Sequence, residues 1–141
     1  MMASMIEAER DQFLVAPRIG ILATLRRGGF PVAVPVWFEW EGRVMRMFTN
    51  ARSGKVRRLR RDPRASVLVA NGVGEREAWV AFDGTVSISS EGAIELAERL
   101  AQRYWDMAEL DRQAALSEWR KAAPSLRVLE LTPQAIRMSR D

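Results

Sequence analysis

The side chains best suited to chemistry lie in residues 49–64, where an apolar run gives way to a basic segment. Ser53 is a suitable helix N-cap, because its hydroxyl can accept a hydrogen bond from a backbone N–H of the first helical turn. Lys55 falls in that turn, where the helix dipole ordinarily favours acidic residues. Gly54, between them, lets a ligand approach the backbone closely. This arrangement indicates an anion held between the helix start and the Lys55 ammonium group.

The positive charge of the chain is concentrated in this segment. Residues 52–64 contain seven basic side chains and one acidic one, a net charge of +6, whereas the whole chain carries +4. The remainder is therefore net negative, and the basic residues form a patch. Such a patch favours a specific anionic partner. The alternative is a solvated basic helix that only aids solubility.

The chain contains no cysteine and no histidine. Their absence removes disulfides, thiolate nucleophiles, the usual base of a catalytic triad and the commonest ligands of transition metals and haem. We therefore expect no metal site. If the protein is an enzyme, we expect a bound organic cofactor to supply the reactive chemistry.

The length of 141 residues is typical of one domain, and we expect residues 1–141 to form a single unit. No stretch approaches the ~20 consecutive apolar residues that a membrane span requires. The first eight residues lack the basic start and apolar run of a signal peptide. We therefore expect no membrane contact and a cytoplasmic location.

Alternating apolar positions and turn residues predict a series of strands in roughly the first ninety residues. The predicted strands span residues 19–25, 32–40, 43–50, 65–70 and 78–88. Pro35 lies within the second of these strands. Because proline lacks a backbone donor, that strand should be bulged or lie at a sheet edge. Asp83 and Gly84 predict a bulge or bend within the fifth strand.

Two short helices are predicted in the same part of the chain. Ser4 and Glu7 have the spacing of a capping box and predict a helix over roughly residues 4–15. A loosely attached terminal arm is the alternative for this segment. A second helix should begin after Ser53 and stop before Pro63, because the residue preceding proline avoids helical geometry.

The pattern changes after residue 90. Apolar residues at spacings of three and four predict a helix over residues 94–108, followed by another over residues 111–122. We interpret the aromatic residues on both helices as core packing. Residues 126–131 predict the last strand, and residues 134–141 a short tail. Strands followed by inserted helices and a final strand favour a small, mainly β barrel.

Five short motifs occur in an order that resembles the pyridoxamine-phosphate-oxidase-like split β-barrels. The motifs are Ile21-Leu22-Ala23-Thr24, Pro35-Val36-Trp37-Phe38, Phe48-Thr49, Ser53-x-Lys55 and Leu-Arg-Arg-Asp-Pro-Arg at residues 59–64. The likeness covers about residues 15–88 and is strongest to the flavin and deazaflavin oxidoreductases, which bind FMN or coenzyme F420. It implies a mainly β (α+β) fold, a split β-barrel with a short N-terminal helix and helices inserted before the last strand.

The resemblance implies where the cofactor phosphate binds. Thr49, Ser53 and Lys55 match the residues that contact it in this family. Arg58 occupies a position where the family commonly has asparagine, so charge replaces a local hydrogen bond. The excess of arginine around Lys55 favours F420, whose oligoglutamate tail is acidic.

The resemblance also implies where the ring binds. The backbone of Pro35, Val36 and Trp37 would lie along the tricyclic ring, and Trp79 matches residues that reach a cofactor across a dimer interface. Trp37, Trp40 and Trp79 are candidates for lining a substrate pocket, with ordinary barrel and dimer packing as the alternative. No residue is identified as a catalytic acid or base.

The function implied is that of a homodimeric oxidoreductase that uses F420 or FMN. It would pass a hydride to or from a small unsaturated or quinone-like substrate. True pyridoxamine-phosphate oxidase activity is not expected, because those enzymes hold pyridoxal phosphate with an arginine and a histidine, and this chain has no histidine.

Two other functions remain open. The first is a protein that binds a flavin only to sense or store it. The second is a nucleic-acid-binding barrel in which residues 57–64 contact phosphates. Nucleic acid is the less favoured partner, because the basic residues lie on one short helix and the strands show no exposed aromatic face.

Overall fold

The computed structural model describes residues 6–140. In chain order these residues form α1 (Glu7–Val15), β1 (Gly20–Leu25), β2 (Pro31–Val36), β3 (Glu39–Trp40), β4 (Met45–Asn50), α2 (Gly54–Arg61), β5 (Arg64–Ala70), β6 (Ala78–Ser89), α3 (Ala93–Tyr104), α4 (Leu110–Lys121) and β7 (Leu126–Arg140). Ser4, the proposed start of the capping box, lies outside the described residues. Phe13 and Leu14 of α1 are buried, so the described part of the N-terminal segment is a packed helix and not a loose arm.

The strands of the described residues form one antiparallel sheet in the order β2-β1-β5-β6-β7-β4-β3. β2 and β3 are therefore at opposite edges of the sheet, yet only Trp37 and Phe38 separate them in the chain. Three residue steps span at most about 11 Å. The sheet must curl until its two edges approach each other, which confirms the split β-barrel.

Alternate residues of the strands fill the barrel. The largest fully buried side chains of this interior are Leu22, Phe38, Met45, Met47, Val67, Phe82, Leu129 and Leu131. Each such leucine, methionine or phenylalanine contributes about 1.5–3 kcal/mol through removal from water. Because a one-residue slip would turn a strand's buried row to the outside, this core also sets the register.

The strand predicted over residues 32–40 is in fact two strands. β2 ends at Val36, and the interruption falls at Trp37 and Phe38, not at Pro35. Pro35 pairs with Ile21 on the edge strand β2, where its missing donor costs no ladder bond. The expected edge position is confirmed, while the expected single strand is wrong.

The prediction of a tail after Pro133 is also wrong, because β7 continues to Arg140. Gly84 of β6 pairs with Pro133 and Asp83 pairs with Ala135, so Gln134 is an extra residue in β7. This bulge absorbs the irregularity at Pro133, and the strand then continues along β6. The irregularity predicted at residues 83–84 is thus confirmed.

The helical insert, residues 93–121, connects β6 to β7. The inner face of α3 packs on β7 through the buried residues Ala93, Leu96, Ala97, Leu100, Leu126 and Val128. α3 ends at Tyr104, four residues before the predicted end, so Trp105 lies in the connection to α4. None of the described helices has the length and apolar character needed to cross a bilayer.

Gly84 offers a test of the β6–β7 register. A Cβ built on Gly84 would overlap the backbone carbonyl of Thr132 in the neighbouring strand. Because backbone atoms obstruct the methyl group, β7 would have to move. We expect Gly84→Ala to lower the free energy of unfolding in urea by about 1–3 kcal/mol. Ser87→Ala, at an exposed position of the same strand, should change it by less than about 0.5 kcal/mol. Equal stability of the two variants would contradict the register.

Candidate functional site

The start of α2 has the capped geometry that the sequence indicates. The Val56 N–H donates to Ser53 Oγ over 3.4 Å, and α2 ends at Arg61, just before Asp62 and Pro63. Buried Val56 and Leu59 anchor the helix to the barrel. The N–H groups of the first helical turn have no acceptor within the helix. Because Ser53 Oγ satisfies the N–H of Val56, the N–H groups of Gly54 and Lys55 are the ones available to an external anion.

Lys55 lines a cleft of about 510 Å³ beside the helix start. The other residues that line it are Ile19, Pro35, Val36, Trp37, Phe48, Trp105 and Trp119. Lys55 comes from α2, residues 35–37 from the end of β2, and the last two tryptophans from the helical insert. The structure thus brings four of the predicted site residues, Lys55 and residues 35–37, to one cleft.

The ammonium group of Lys55 lacks a counter-ion. Within residues 6–140 it makes neither a hydrogen bond nor an ion pair with a carboxylate. Partial burial, and secondarily the charge of Arg58, hold the pKa of Lys55 below its ordinary value. Both effects disfavour the charged amine, so a bound anion would relieve them.

Aromatic rings form the walls of the cleft. Trp37 stacks on Tyr104 with ring centroids 5.0 Å apart and planes only 3° from parallel. Trp105 meets Trp37 edge-on at 5.0 Å and lies 5.1 Å from Trp119, which in turn contacts Phe48 at 5.3 Å. These surfaces favour a flat, apolar ligand.

Tyr104 fixes the break between β2 and β3. Its hydroxyl donates to the Arg18 carbonyl over 2.7 Å and accepts from the Phe38 N–H over 3.3 Å. Arg103, its neighbour, donates to three carbonyls at the end of α1, those of residues 14–16. The end of α3 therefore holds the backbone segment that faces the cleft.

Arg58 lies in a second depression, on the other side of Gly54. Its Nε donates to the buried Thr24 hydroxyl over 2.6 Å. This arginine basin has a volume of about 590 Å³ and is lined by Arg26, Arg27, Gly54, Arg57, Arg58 and Arg61. Burial, followed by the charges of the neighbouring arginines, lowers the pKa of Arg58. None of the five arginines pairs with a carboxylate of the described residues.

Thr49 and Trp79 lie elsewhere. Thr49 is buried in the barrel-facing row of β4, whereas its neighbour Phe48 faces the cleft. Trp79 lines a groove on the outer face of the sheet with Ile21 and Leu68, and no residue of that groove lines the cleft. Among the described residues, no group of three or more acidic side chains is arranged to hold a metal ion.

Trp40 also lies outside the cleft. Its ring packs against Phe82 at 4.8 Å, and its Nε1 donates to Asp11 over 2.9 Å. The ordinary-packing interpretation applies to this tryptophan, which joins the barrel core to α1.

Several residues that line these cavities give no clear signal in the sequence. The spacing of Trp105 and Trp119 predicts core packing, and they do pack together, but both remain half-exposed at the cleft. Arg26 and Arg27 follow β1 and belong to no motif that indicates a site. Their proximity to Arg58 depends on the packing of α2 against β1, which the order of residues along the chain does not reveal.

Comparisons with known proteins agree with this architecture. Residues 6–140 match the family model described as pyridoxamine 5'-phosphate oxidase. The chain belongs to this split-barrel family. No curated protein sequence matches it significantly.

Solved structures share the fold at low identity. A conserved hypothetical protein from Mycobacterium tuberculosis is 25% identical, with a TM-score of 0.78 over 96% of this chain and 85% of that one. A protein named F420 reductase is 21% identical, with a TM-score of 0.71 over 90% and 94%. An FAD-binding protein from Mesorhizobium loti is 19% identical, with a TM-score of 0.67 over 99% and 96%.

The environment of Lys55 predicts an unusual titration. Because partial burial and Arg58 both disfavour the ammonium form, we expect Lys55 to lose its proton at a lower pH than a free lysine does. The chain has only two lysines, so NMR titration of the lysine Cε signals can follow each one. The Lys55→Arg variant assigns the signal. A Lys55 midpoint at or above the ordinary value for lysine would contradict the partial burial described above.

Proposed function

We propose that the protein is a homodimeric oxidoreductase that binds F420 or FMN. The phosphate would bind at the start of α2 and the ring in the cleft, and a hydride would pass to or from a small unsaturated or quinone-like substrate. One observation carries the proposal: the unpaired Lys55 ammonium and the backbone of residues 35–37 share one aromatic-walled cleft.

The residues present fit such a cofactor. The cleft volume of about 510 Å³ is within the ordinary range of ligand sites. Ser53, the backbone N–H groups of Gly54 and Lys55, and the Lys55 ammonium would hold the phosphate. Thr49 is the weakest of the proposed phosphate contacts, since its side chain belongs to the barrel-facing row. Arg58 would act from the adjoining basin.

Within the cleft, the chain would bind, orient and exclude water. When bound, the reduced ring supplies a hydride, and one further proton from solvent completes the reduction of a double bond or quinone. The Pro35–Trp37 backbone would orient the ring, with Tyr104 holding Trp37 in place. Among the cleft-lining residues, Lys55 alone carries a titratable side chain. The described part of the chain therefore offers no side-chain carboxylate as a general acid in the cleft.

The arginine basin supports F420 over FMN. Gly54 lines the basin and its neighbour in the chain, Lys55, lines the cleft. The guanidinium groups of the basin have no carboxylate partners in the described chain. The acidic tail of F420 would neutralise them, whereas FMN ends at its phosphate. A structural neighbour named F420 reductase shares this fold.

Titration with FMN and with F420 tests the phosphate site. Lys55→Ala should weaken both by about 10–100-fold, because it removes a charge-assisted hydrogen bond of about 1.5–3 kcal/mol. Ring fluorescence reports the dissociation constants. Lys55→Arg should retain most of the affinity, and Lys121→Ala, at the exposed end of α4, should retain all of it.

Two results would count against these assignments. Absence of binding by either cofactor at micromolar concentration would refute the proposed function. Unchanged affinity in Lys55→Ala would refute the phosphate assignment alone. If the basin holds the F420 tail, Arg57→Gln should weaken F420 more than FMN.

The outer face of the sheet supports the proposed homodimer. Ile21 and Leu68 are exposed apolar side chains on neighbouring strands, and they line a groove with Trp79. An adjoining groove contains Ile21, Leu68 and also Ile19, which reaches the cleft. Trp79 of the partner subunit would thus lie near the bound ring.

A charge introduced into this face should separate the subunits. We expect Leu68→Asp to convert a dimer into a monomer, because a buried unpaired carboxylate is strongly unfavourable at an interface. Size-exclusion chromatography with light scattering measures the mass. Val73→Asp, in the fully exposed loop before β6, is the matched control and should remain dimeric. A wild-type monomer at high concentration would contradict the dimer.

A further inference from the structure

One wall of the cleft comes from the helical insert, whereas the other walls come from the barrel and α2. Residues 35–37 and Lys55 belong to the barrel and to α2, whereas Trp105 follows α3 and Trp119 lies on α4. Leu116 is the fully buried residue of α4. Trp119 of α4 contacts Phe48 of β4, and it also faces the cleft.

Trp105 and Trp119 form an indole pair. Their centroids are 5.1 Å apart at 30°, and both rings are half-exposed. Large aromatic side chains left accessible at a cavity commonly bind another ring. Trp37, which lies between this pair and Tyr104, links the two walls of the cleft.

The charge around the indole pair restricts what can bind there. No carboxylate of residues 6–140 lines the cleft, and Lys55 is the charged group among them that does. The Arg112 guanidinium lies 4.6 Å from the centre of the Trp105 ring. Glu109 pairs with Arg112 at 3.4 Å, so Lys55 is the uncompensated charge of the cleft. It would repel a cation and tolerate a neutral or anionic molecule.

We propose that the indole pair is the specificity-determining surface for the organic substrate, which is a planar, conjugated molecule that is neutral or anionic. The cofactor ring is assigned to the barrel side of the cleft, so the insert is the wall left for a second ring. That this ligand is a substrate rests on the proposed oxidoreductase function, whereas the preference for binding planar molecules does not.

Equilibrium dialysis of the cofactor-free protein measures this preference. The probes are menadione (planar, neutral), 2-hydroxy-1,4-naphthoquinone (planar, anionic), N-methylphenazinium (planar, cationic) and α-decalone (bicyclic, saturated). We expect the two naphthoquinones to bind at least 10-fold more tightly than the other two. Tighter binding of the cation or of the saturated ketone would overturn the proposed ligand class.

Variants of the two tryptophans then distinguish binding of the planar probe from binding of the cofactor. Trp105→Leu and Trp119→Leu should each weaken menadione binding at least 10-fold and weaken FMN and F420 binding by a clearly smaller factor, because the proposed cofactor contacts at α2 and residues 35–37 remain. Trp119→Phe, which keeps a flat ring, should restore most of the menadione affinity. Arg120→Gln, which breaks the ion pair between α4 and Glu98 of α3, is the control for helix attachment and should leave menadione binding unchanged.

The outcomes distinguish the inference from the proposed function. Menadione binding unaffected by both leucine variants, or reduced equally with cofactor binding, would overturn the inference. Tryptophan-dependent menadione binding without any binding of FMN or F420 would support the planar-ligand surface and refute the proposed oxidoreductase.

Discussion

The fold depends on a two-residue connection between the opposite edges of one sheet. Since β2 and β3 occupy opposite edges and only Trp37 and Phe38 join them, the chain must leave the sheet, cross the gap and re-enter it at once. Phe38 secures the crossing from inside, because it is completely buried in the barrel. Tyr104 secures it from outside by bonding to the backbone and stacking on Trp37. The cleft exists because this crossing takes the backbone out of the sheet and places the Trp37 ring opposite Lys55 of α2.

The electrostatics of the cleft and of the arginine basin follow from the same geometry. The crossing places an apolar, aromatic surface next to the start of α2, where Lys55 is partly removed from water and has no counter-ion among residues 6–140. On the other side of Gly54, five arginines face one another without carboxylates in the described chain. The folded protein therefore carries an electrostatic cost that an elongated, anionic ligand with a flat ring would reduce.

Local features could be predicted from the sequence, whereas features decided by distant contacts could not. The Ser53 cap, the irregularity at Gly84 and the edge position of Pro35 each depend on one residue's own chemistry. The break at Trp37 depends on Tyr104, far along the chain, and the continuation of β7 depends on its long pairing with β6. Helical spacing identified an apolar stripe, but it could not reveal that some of its rings remain accessible.

The connection between β6 and β7 has an evolutionary consequence. These two strands are adjacent and antiparallel, so a short turn would suffice to join them, and the sheet places no upper limit on what replaces it. The helices carrying one side of the cleft can thus diverge in length and composition while the barrel's hydrogen bonding is conserved. Descendants of such a scaffold could acquire new ligand preferences by exchanging this insert while the barrel and α2 stay unchanged.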